Sequence, residues 1–369
     1  MNLYRILFIF LLLGAFSYNL QSQDNSWKKR LYVECDYHYG FLMPHSDFIA
    51  FFVQEHIQGI QLNIGIQTNG EKSWHQSYNY PRLGIGFHRS GLGNREVYGN
   101  MNAVFAYVDR YYLNWKNKFN FGNRLSLGTA YVSKKFDLET NNTNLAIGSR
   151  YNAYINYSFE AIFKVFPKTE MKVGAGITHI SNGSFRQPNK GLNSFTAFTG
   201  ITYKFNEPIL TKVDVDEPSS KHQFFLMTSF GRKQISRRYN YSYTVLALTG
   251  EYSHLIVGNS WGGAAISLYH DPSLEKELQL GNDSISTSFS DRLRVSLNLS
   301  YELRMGKVSY VFQPGFYLRN PYKQPGSISN KLSVRYHINP RLTAALTIKA
   351  HWFAIADFFE WGIGYKLGK

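Results

Sequence analysis

The 369-residue chain has one cysteine, Cys35, so no internal disulfide is available and a disulfide-dense exported scaffold is excluded. Cys35 is expected as a small side chain in a first strand. Long apolar runs are also missing. Beyond the first residues the longest are Phe48–Val53 and Ala103–Val108, far short of the roughly 20 residues a helix needs to cross a bilayer. A helical membrane protein is therefore excluded. Acidic residues are scarce too, 25 against 40 Lys and Arg, which leaves a net charge of +15. The basic residues are scattered and form no tracts, which argues against a nucleic-acid partner.

Aromatic residues are abundant, with 27 Tyr and 28 Phe, yet the mean hydropathy is −0.30. The rings must therefore alternate with polar residues, as barrel walls require. In Tyr151–Val165 the odd positions are apolar, while Asn152, Asn156, Ser158, Glu160 and Lys164 occupy the other face. In Arg292–Leu303 the odd positions Leu293, Val295, Leu297, Leu299, Tyr301 and Leu303 oppose a polar set that suits a lumen. Similar dyads occupy Met101–Tyr111, Thr343–His351 and Trp361–Leu367. Turns are expected at Phe121-Gly122-Asn123, Met305-Gly306-Lys307 and Asn339-Pro340, and longer loops at Asp137–Asn144 and Asp271–Asp291. Strands of about ten residues with one apolar face fit a transmembrane barrel better than a soluble sandwich. The expected fold is all-β, an antiparallel transmembrane β-barrel of roughly 14–16 strands. An even number would place both termini on the periplasmic side.

Residues 1–22 read as a secretory signal peptide, with Arg5 ahead of an apolar stretch from Ile6 to Phe16 and a polar exit through Ser17, Asn19 and Gln21. The exported part is then 23–369, a cationic protein whose natural partner is a phosphate-rich surface such as lipopolysaccharide. Asn206–Lys221, with two prolines and four acidic residues, is the best internal boundary. It suits either a long turn within one barrel or a linker between two, and a solvated loop is expected. No fixed-period repeat is visible, although both halves end in a similar aromatic-glycine strand, Phe198–Phe205 and Phe359–Leu367. The final strand partly matches the terminal signal of outer-membrane barrels, but the chain finishes Leu367-Gly368-Lys369 where an aromatic residue is usual.

Residues two apart in a strand share a face, so His179 and Ser181 place an imidazole beside a hydroxyl. Such a pair makes a nucleophile of a weak alcohol: the imidazole takes the serine proton as the oxygen attacks a carbonyl, then returns it to the leaving group. A His-x-Ser pair alone is a weak signal. Around it runs the string Gly174-Ala-Gly-Ile-Thr-His179-Ile-Ser181-Asn182-Gly183-Ser-Phe-Arg-Gln-Pro188-Asn189-Lys-Gly191-Leu-Asn193-Ser194, preceded by Asn144-Leu-Ala-Ile-Gly-Ser149 and a long aromatic strand.

This string resembles the lipid A 3-O-deacylase (PagL-type) or acyloxyacyl hydrolase family of outer-membrane enzymes. The likeness is strong from about 144 to 205 and extends more weakly back to Pro81, giving a deacylase-like segment of about 81–205 and additional strands over 222–369. The resemblance implies Ser181 as nucleophile and His179 as general base. It implies Asn182 as an oxyanion donor, with Gly183 and Asn189 supporting the loop or donating hydrogen bonds. Pro188 and Gly191, with these three, also suit a plain turn. The family's triad acid lies fourteen positions after its histidine, and that position here is Asn193. An amide carbonyl can orient an imidazole but carries no full charge. The site is thus a Ser-His-Asn arrangement, or Glu160 or Glu360 approaches, or activity is reduced.

The implied activity is an esterase removing acyl chains from lipid A in the bacterial outer membrane, a chemistry that needs no cofactor or metal. The alternatives are a non-catalytic barrel, either a pore or a structural, lipid-binding protein that retains the motif, and a soluble periplasmic sandwich that binds carbohydrate. His351, Asp357 and Glu360 among aromatic residues read as girdle residues with solvated charges, a metal site being the other reading. His38, His45 and His56 are too irregularly spaced for zinc and read as loop and lumen residues. Oligomeric state is not readable from the sequence.

Overall fold

The structure, a computed structural model, describes residues 25–114, 117–207, 209–211, 220–238, 241–281, 287–323, 326–352 and 355–367. The signal-peptide expectation for 1–22 and most of the acidic part of the 206–221 boundary lie outside these residues. Strict alternation becomes sixteen antiparallel strands, from 10 residues in the third to 16 in the sixth. They close twice. The first barrel contains β1 (Leu31–Met43), β2 (Ile57–Gln67), β3 (Arg82–Gly91), β4 (Asn100–Tyr111), β5 (Phe119–Val132), β6 (Tyr151–Phe166), β7 (Thr169–Ser181) and β8 (Leu192–Lys204), with β8 pairing back onto β1. The second contains β9 (His222–Lys233), β10 (Tyr243–Val257), β11 (Ser260–His270), β12 (Leu293–Met305), β13 (Val308–Arg319), β14 (Ile328–His337), β15 (Leu342–His351) and β16 (Ile355–Leu367), closed by β16 on β9. The strand number and direction are those expected from the dyads. The division into two barrels is what the composition left open. The two similar aromatic-glycine segments prove to be β8 and β16, the strands that complete each closure.

Apolar side chains point outward on both barrels, as on β1 with Tyr37, Tyr39 and Phe41 and on β10 with Leu246 and Leu248. Cys35 is exposed on the outer face of β1. Inward positions carry charge. Arg124 lies 2.7 Å from Glu34 and 2.6 Å from Asp109, and Lys172 reaches Glu34 at 2.7 Å, Asp36 at 3.1 Å and Glu160 at 3.3 Å. In the second lumen Arg335 pairs with Glu251 at 2.5 Å, while Lys233, Arg294 and Lys349 converge on Asp357 at 3.0, 3.1 and 2.7 Å. Eight strands leave room only for side chains, and mutual pairing is what makes these buried charges tolerable.

These pairs correct one expectation. His351, Asp357 and Glu360 are buried inside the second lumen, where His351 lies 3.2 Å from Asp357 and Ser229 donates to Glu360 at 2.9 Å. They are not solvated charges, because the alternation of β15 and β16 turns them inward. A second correction concerns Phe121-Gly122-Asn123, which lies within β5 and is not a turn. A Cβ on Gly122 would collide with the Arg110 carbonyl, so this glycine serves close strand approach. β4 ends at Tyr111 and β5 begins at Phe119, so the chain reverses before this triplet. Met305-Gly306-Lys307 and Asn339-Pro340 do mark turns, with Gly306 at φ +66°.

The β1–β2, β3–β4, β5–β6 and β7–β8 connections all leave from one end of the first barrel, and the β9–β10, β11–β12, β13–β14 and β15–β16 connections from one end of the second. The opposite end carries tight turns at 167–168, 258–259 and 306–307, the periplasmic pattern. The longer 68–81 connection at that end contains a short helix, Ser73–Ser77, and brackets the two barrels. Tyr78 donates its hydroxyl to the Asn259 carbonyl at 2.7 Å, and the Asn259 amide donates to Ser77 at 3.1 Å.

Candidate active site

His179 and Ser181 project from the outer face of β7 at its long-loop end, and Asn193 from the outer face at the start of β8. The β7/β8 register places His179 directly opposite Asn193. The imidazole Nε2 lies 2.9 Å from Ser181 Oγ, and Nδ1 lies 2.6 Å from Asn193 Oδ1. Because an amide oxygen only accepts, Nδ1 carries the proton and donates it to Asn193. The Nε2 lone pair is then free to accept from Ser181, the tautomer a general base requires. Neither alternative carboxylate approaches. Glu160 accepts from Tyr111 at 2.6 Å inside the first lumen, and Glu360 is held inside the second.

The loop 182–191 is ordered by its own turn chemistry and by neighbours. The Asn182 side chain donates through Nδ2 to the Arg186 carbonyl at 2.9 Å, and its oxygen accepts from the Arg186 backbone at 3.2 Å. This short Asn-to-backbone ring fixes the side chain and uses one of its two N–H donors. Asn189 differs. Its oxygen accepts from the Asn182 backbone at 2.9 Å, which fixes the amide, while its Nδ2 is buried without a hydrogen-bond partner among the described residues. A buried donor left unpaired is costly, and a site that binds a negatively charged oxygen is where one is useful.

Two glycines have steric roles. Gly191 has φ +73°, and a Cβ there would lie 2.9 Å from His179 Cε1 and 3.3 Å from Ser181 Cβ. Gly183 has φ +59°, with Phe359 of β16 pressed against it, so that a Cβ would come 2.6 Å from the ring. Beneath the loop, Ile49, Leu92, Tyr98, Ala146, Ile147, Ile180 and Leu192 form a continuous buried cluster. Asn144 pins the 144–149 segment to it by donating to the Val97 carbonyl at 2.9 Å and accepting from the Ile147 backbone at 3.1 Å. Gly191 donates its N–H to the Ala146 carbonyl at 3.0 Å.

The second barrel also holds this loop. The Gln234 backbone donates to the Ser184 carbonyl at 2.8 Å, the Gln187 backbone donates to Gln234 Oε1 at 2.9 Å, and Ser184 Oγ donates to the Ala356 carbonyl at 3.0 Å. Gln187 Oε1 in turn accepts from the Asn189 backbone at 3.0 Å. A chain of hydrogen bonds thus runs from Gln234 through Gln187 to Asn189. Gln234 lies 47 residues beyond Gln187, in a different barrel, and no local pattern marks it.

The other histidines singled out from the sequence lie outside the Ser181–His179–Asn193 series, although His45 is within electrostatic range of His179. His38 lies in the first lumen, 3.1 Å from Thr196 and 4.7 Å between ring centres from His88, while His56 stacks on Tyr39 at 5.2 Å. His45 sits in the 44–56 loop against the Lys190 backbone, and burial pushes its imidazole below the usual range. No group of three or more metal-ligating side chains gathers among the described residues.

Residues 58–202 match the model of the family described as lipid A 3-O-deacylase (PagL), and residues 222–369 match the acyloxyacyl hydrolase C-terminal domain. The chain belongs to the PagL-type acyloxyacyl hydrolase family. The first match runs from β2 to β8 and leaves out β1, and the second spans β9 to β16. Together with the apolar outer faces, membership places the chain in the bacterial outer membrane. No curated relative matches. Among solved structures, Neisserial surface protein A (NspA) is 16% identical at a TM-score of 0.32, covering 47% of this chain and 97% of its own. The outer membrane enzyme PagL is 17% identical at a TM-score of 0.30, covering 45% of this chain and 97% of its own.

Proposed function

We propose that the chain is an outer-membrane serine esterase that removes ester-linked acyl chains from lipid A of lipopolysaccharide. The observation that carries this reading is the hydrogen-bonded series Ser181–His179–Asn193 on the outer surface of a membrane barrel, at its long-loop end. Ser181 Oγ attacks the acyl carbonyl carbon as His179 Nε2 takes the hydroxyl proton. Negative charge on the carbonyl oxygen is met by Asn189 Nδ2. Collapse breaks the ester bond, and the departing sugar or hydroxyacyl oxygen takes the proton from Nε2. Water, deprotonated by the same nitrogen, then cleaves the acyl-serine ester, releasing a fatty acid and restoring the site. Asn193 holds the ring but adds no charge to stabilise the imidazolium.

The cationic balance of the chain suits a phosphate-bearing lipid. Both lumens are filled with paired charges, which weighs against a pore. A lipid-binding barrel without turnover is favoured by one feature, the neutral residue at position 193. Lipid A mass spectrometry on cells expressing the wild type or Ser181→Ala separates these readings. The expected result is loss of one acyl chain with the wild type alone, and identical acylation in both would overturn the hydrolase.

A further inference from the structure

The outer face beside His179 is not open to bulk lipid, because the second barrel stands across from it. On the first barrel Ala106, Leu127, Ile155 and His179 are successive cross-strand partners on β4, β5, β6 and β7, forming one row on the outer surface. On the second, Phe312, Leu332, Ile348 and Phe359 form an equivalent row across β13, β14, β15 and β16. The two rows line a crevice between the barrels. Its inner end, about 190 Å³, has Ile155 and His179 on one wall and Phe312, Leu332 and Ile348 on the other. It shares Ile155, Leu332 and Ile348 with a larger adjoining space of about 570 Å³. Small residues, Ala106 and Ala153 on one side and Ala344 on the other, make the depression.

We propose that this crevice between the two barrels binds the acyl chain of the scissile ester, with the second barrel setting which chain is accepted. The inference rests on the hydrolase reading above and extends it to a wall that the catalytic barrel does not possess. Every member of both rows is apolar except His179, which stands at the end of its row. Its Nε2 is in contact with Ser181 Oγ. A carbonyl placed at Ser181 therefore has a charge-free path leading from it along Ile155 and Ile348. The size of the larger space is that of a small-molecule pocket, with few polar groups. An acyl chain matches that lining, whereas a phosphorylated sugar would leave its polar atoms unpaired there. Phe359 joins both functions, since it ends the second row and packs against Gly183 of the catalytic loop.

Two measurements test this on the full chain. In the first, Ser181→Ala protein in lipid nanodiscs is photolabelled with a long-chain acyl ester of glucosamine phosphate that carries a diazirine in the chain. Labelling is expected to concentrate on peptides containing Leu332 and Ile348 and to fall when unlabelled ester is added. Equal labelling of the outward residues Leu246 and Leu248 on β10 would mean ordinary boundary lipid and overturn the proposal. In the second, hydrolysis of short-chain and long-chain esters is compared. Ile348→Trp, which fills the crevice, is expected to shift kcat/KM toward the short ester by about tenfold, and Leu248→Trp is expected to leave the ratio alone. An unchanged ratio in Ile348→Trp overturns the crevice. Absence of any Ser181-dependent hydrolysis would sink the hydrolase reading instead, and the photolabelling would still decide whether the crevice takes the chain.

Discussion

His179 and Asn193 face each other directly across the β7/β8 pair, and the imidazole Nδ1 donates to the Asn193 amide oxygen over 2.6 Å. A hairpin register thus delivers the third member of the site, and an amide stands where a carboxylate would stabilise the imidazolium. For the general base proposed above, the consequence is the correct tautomer with reduced electrostatic support.

Asn193→Asp is isosteric and places a carboxylate against Nδ1. Esterase kcat is expected to rise by at least about tenfold, bounded by the roughly ten-thousandfold cost of the reverse exchange in a serine protease triad. Asn193→Ala should lower kcat and disperse the imidazole orientation. Hydrolysis rates of the three proteins on one lipid ester check both directions.

Asn189→Ala removes the unpartnered buried donor and is expected to lower kcat by about a hundredfold to a thousandfold with little change in KM. Asn189→Asp, equal in size but without the N–H, should be as poor. If Asn189→Asp retained wild-type kcat, charge stabilisation by this side chain would be rejected.

Gly191→Ala introduces a Cβ into the space next to His179 at a φ of +73°. The left-handed conformation costs about 1–2 kcal/mol for an L-residue, and displacement of the imidazole is expected to cost about a hundredfold in rate. Because the loop lies outside the barrel wall, the heat-dependent gel mobility of the folded barrels should be preserved.

Gln234→Ala breaks the side-chain acceptor for the Gln187 backbone while leaving the Gln234–Ser184 backbone bond. A loss of about tenfold in kcat is expected as the loop carrying Asn189 loosens. Gln234→Glu keeps the acceptor oxygen and should restore most of the rate, an outcome that a general defect in folding would not produce.

His75, in the periplasmic 68–81 connection, has its imidazole pushed down to about 4 by burial, and its Nδ1 accepts from the Gly70 N–H at 3.2 Å. The unfolded segment binds the proton more readily than the folded one, so stability is full above about 6.5 and is lost as pH falls toward 4. The protection factor of the Gly70 amide, its exchange rate measured against the base-catalysed rate of an unstructured peptide, should fall across that window in wild type and lose its pH dependence there in His75→Gln.

Whatever depends on a period of two was legible in the order of residues. Odd and even positions of Tyr151–Val165 could only separate into a lipid face and a lumen face, and the same rule put His179 beside Ser181. It also misled at Gly122, where close approach to Arg110 and not a turn explains the glycine. The remaining features come from barrel closure, which is non-local. Whether β8 returned to β1 or continued into β9 cannot be read from either strand, since both present the same alternation. Closure then turned Glu160 and Glu360 into separate lumens and left Asn193 as the partner of His179. It also brought Gln234, Ile348 and Phe359, residues with no local signature, against the loop and face that carry Ser181.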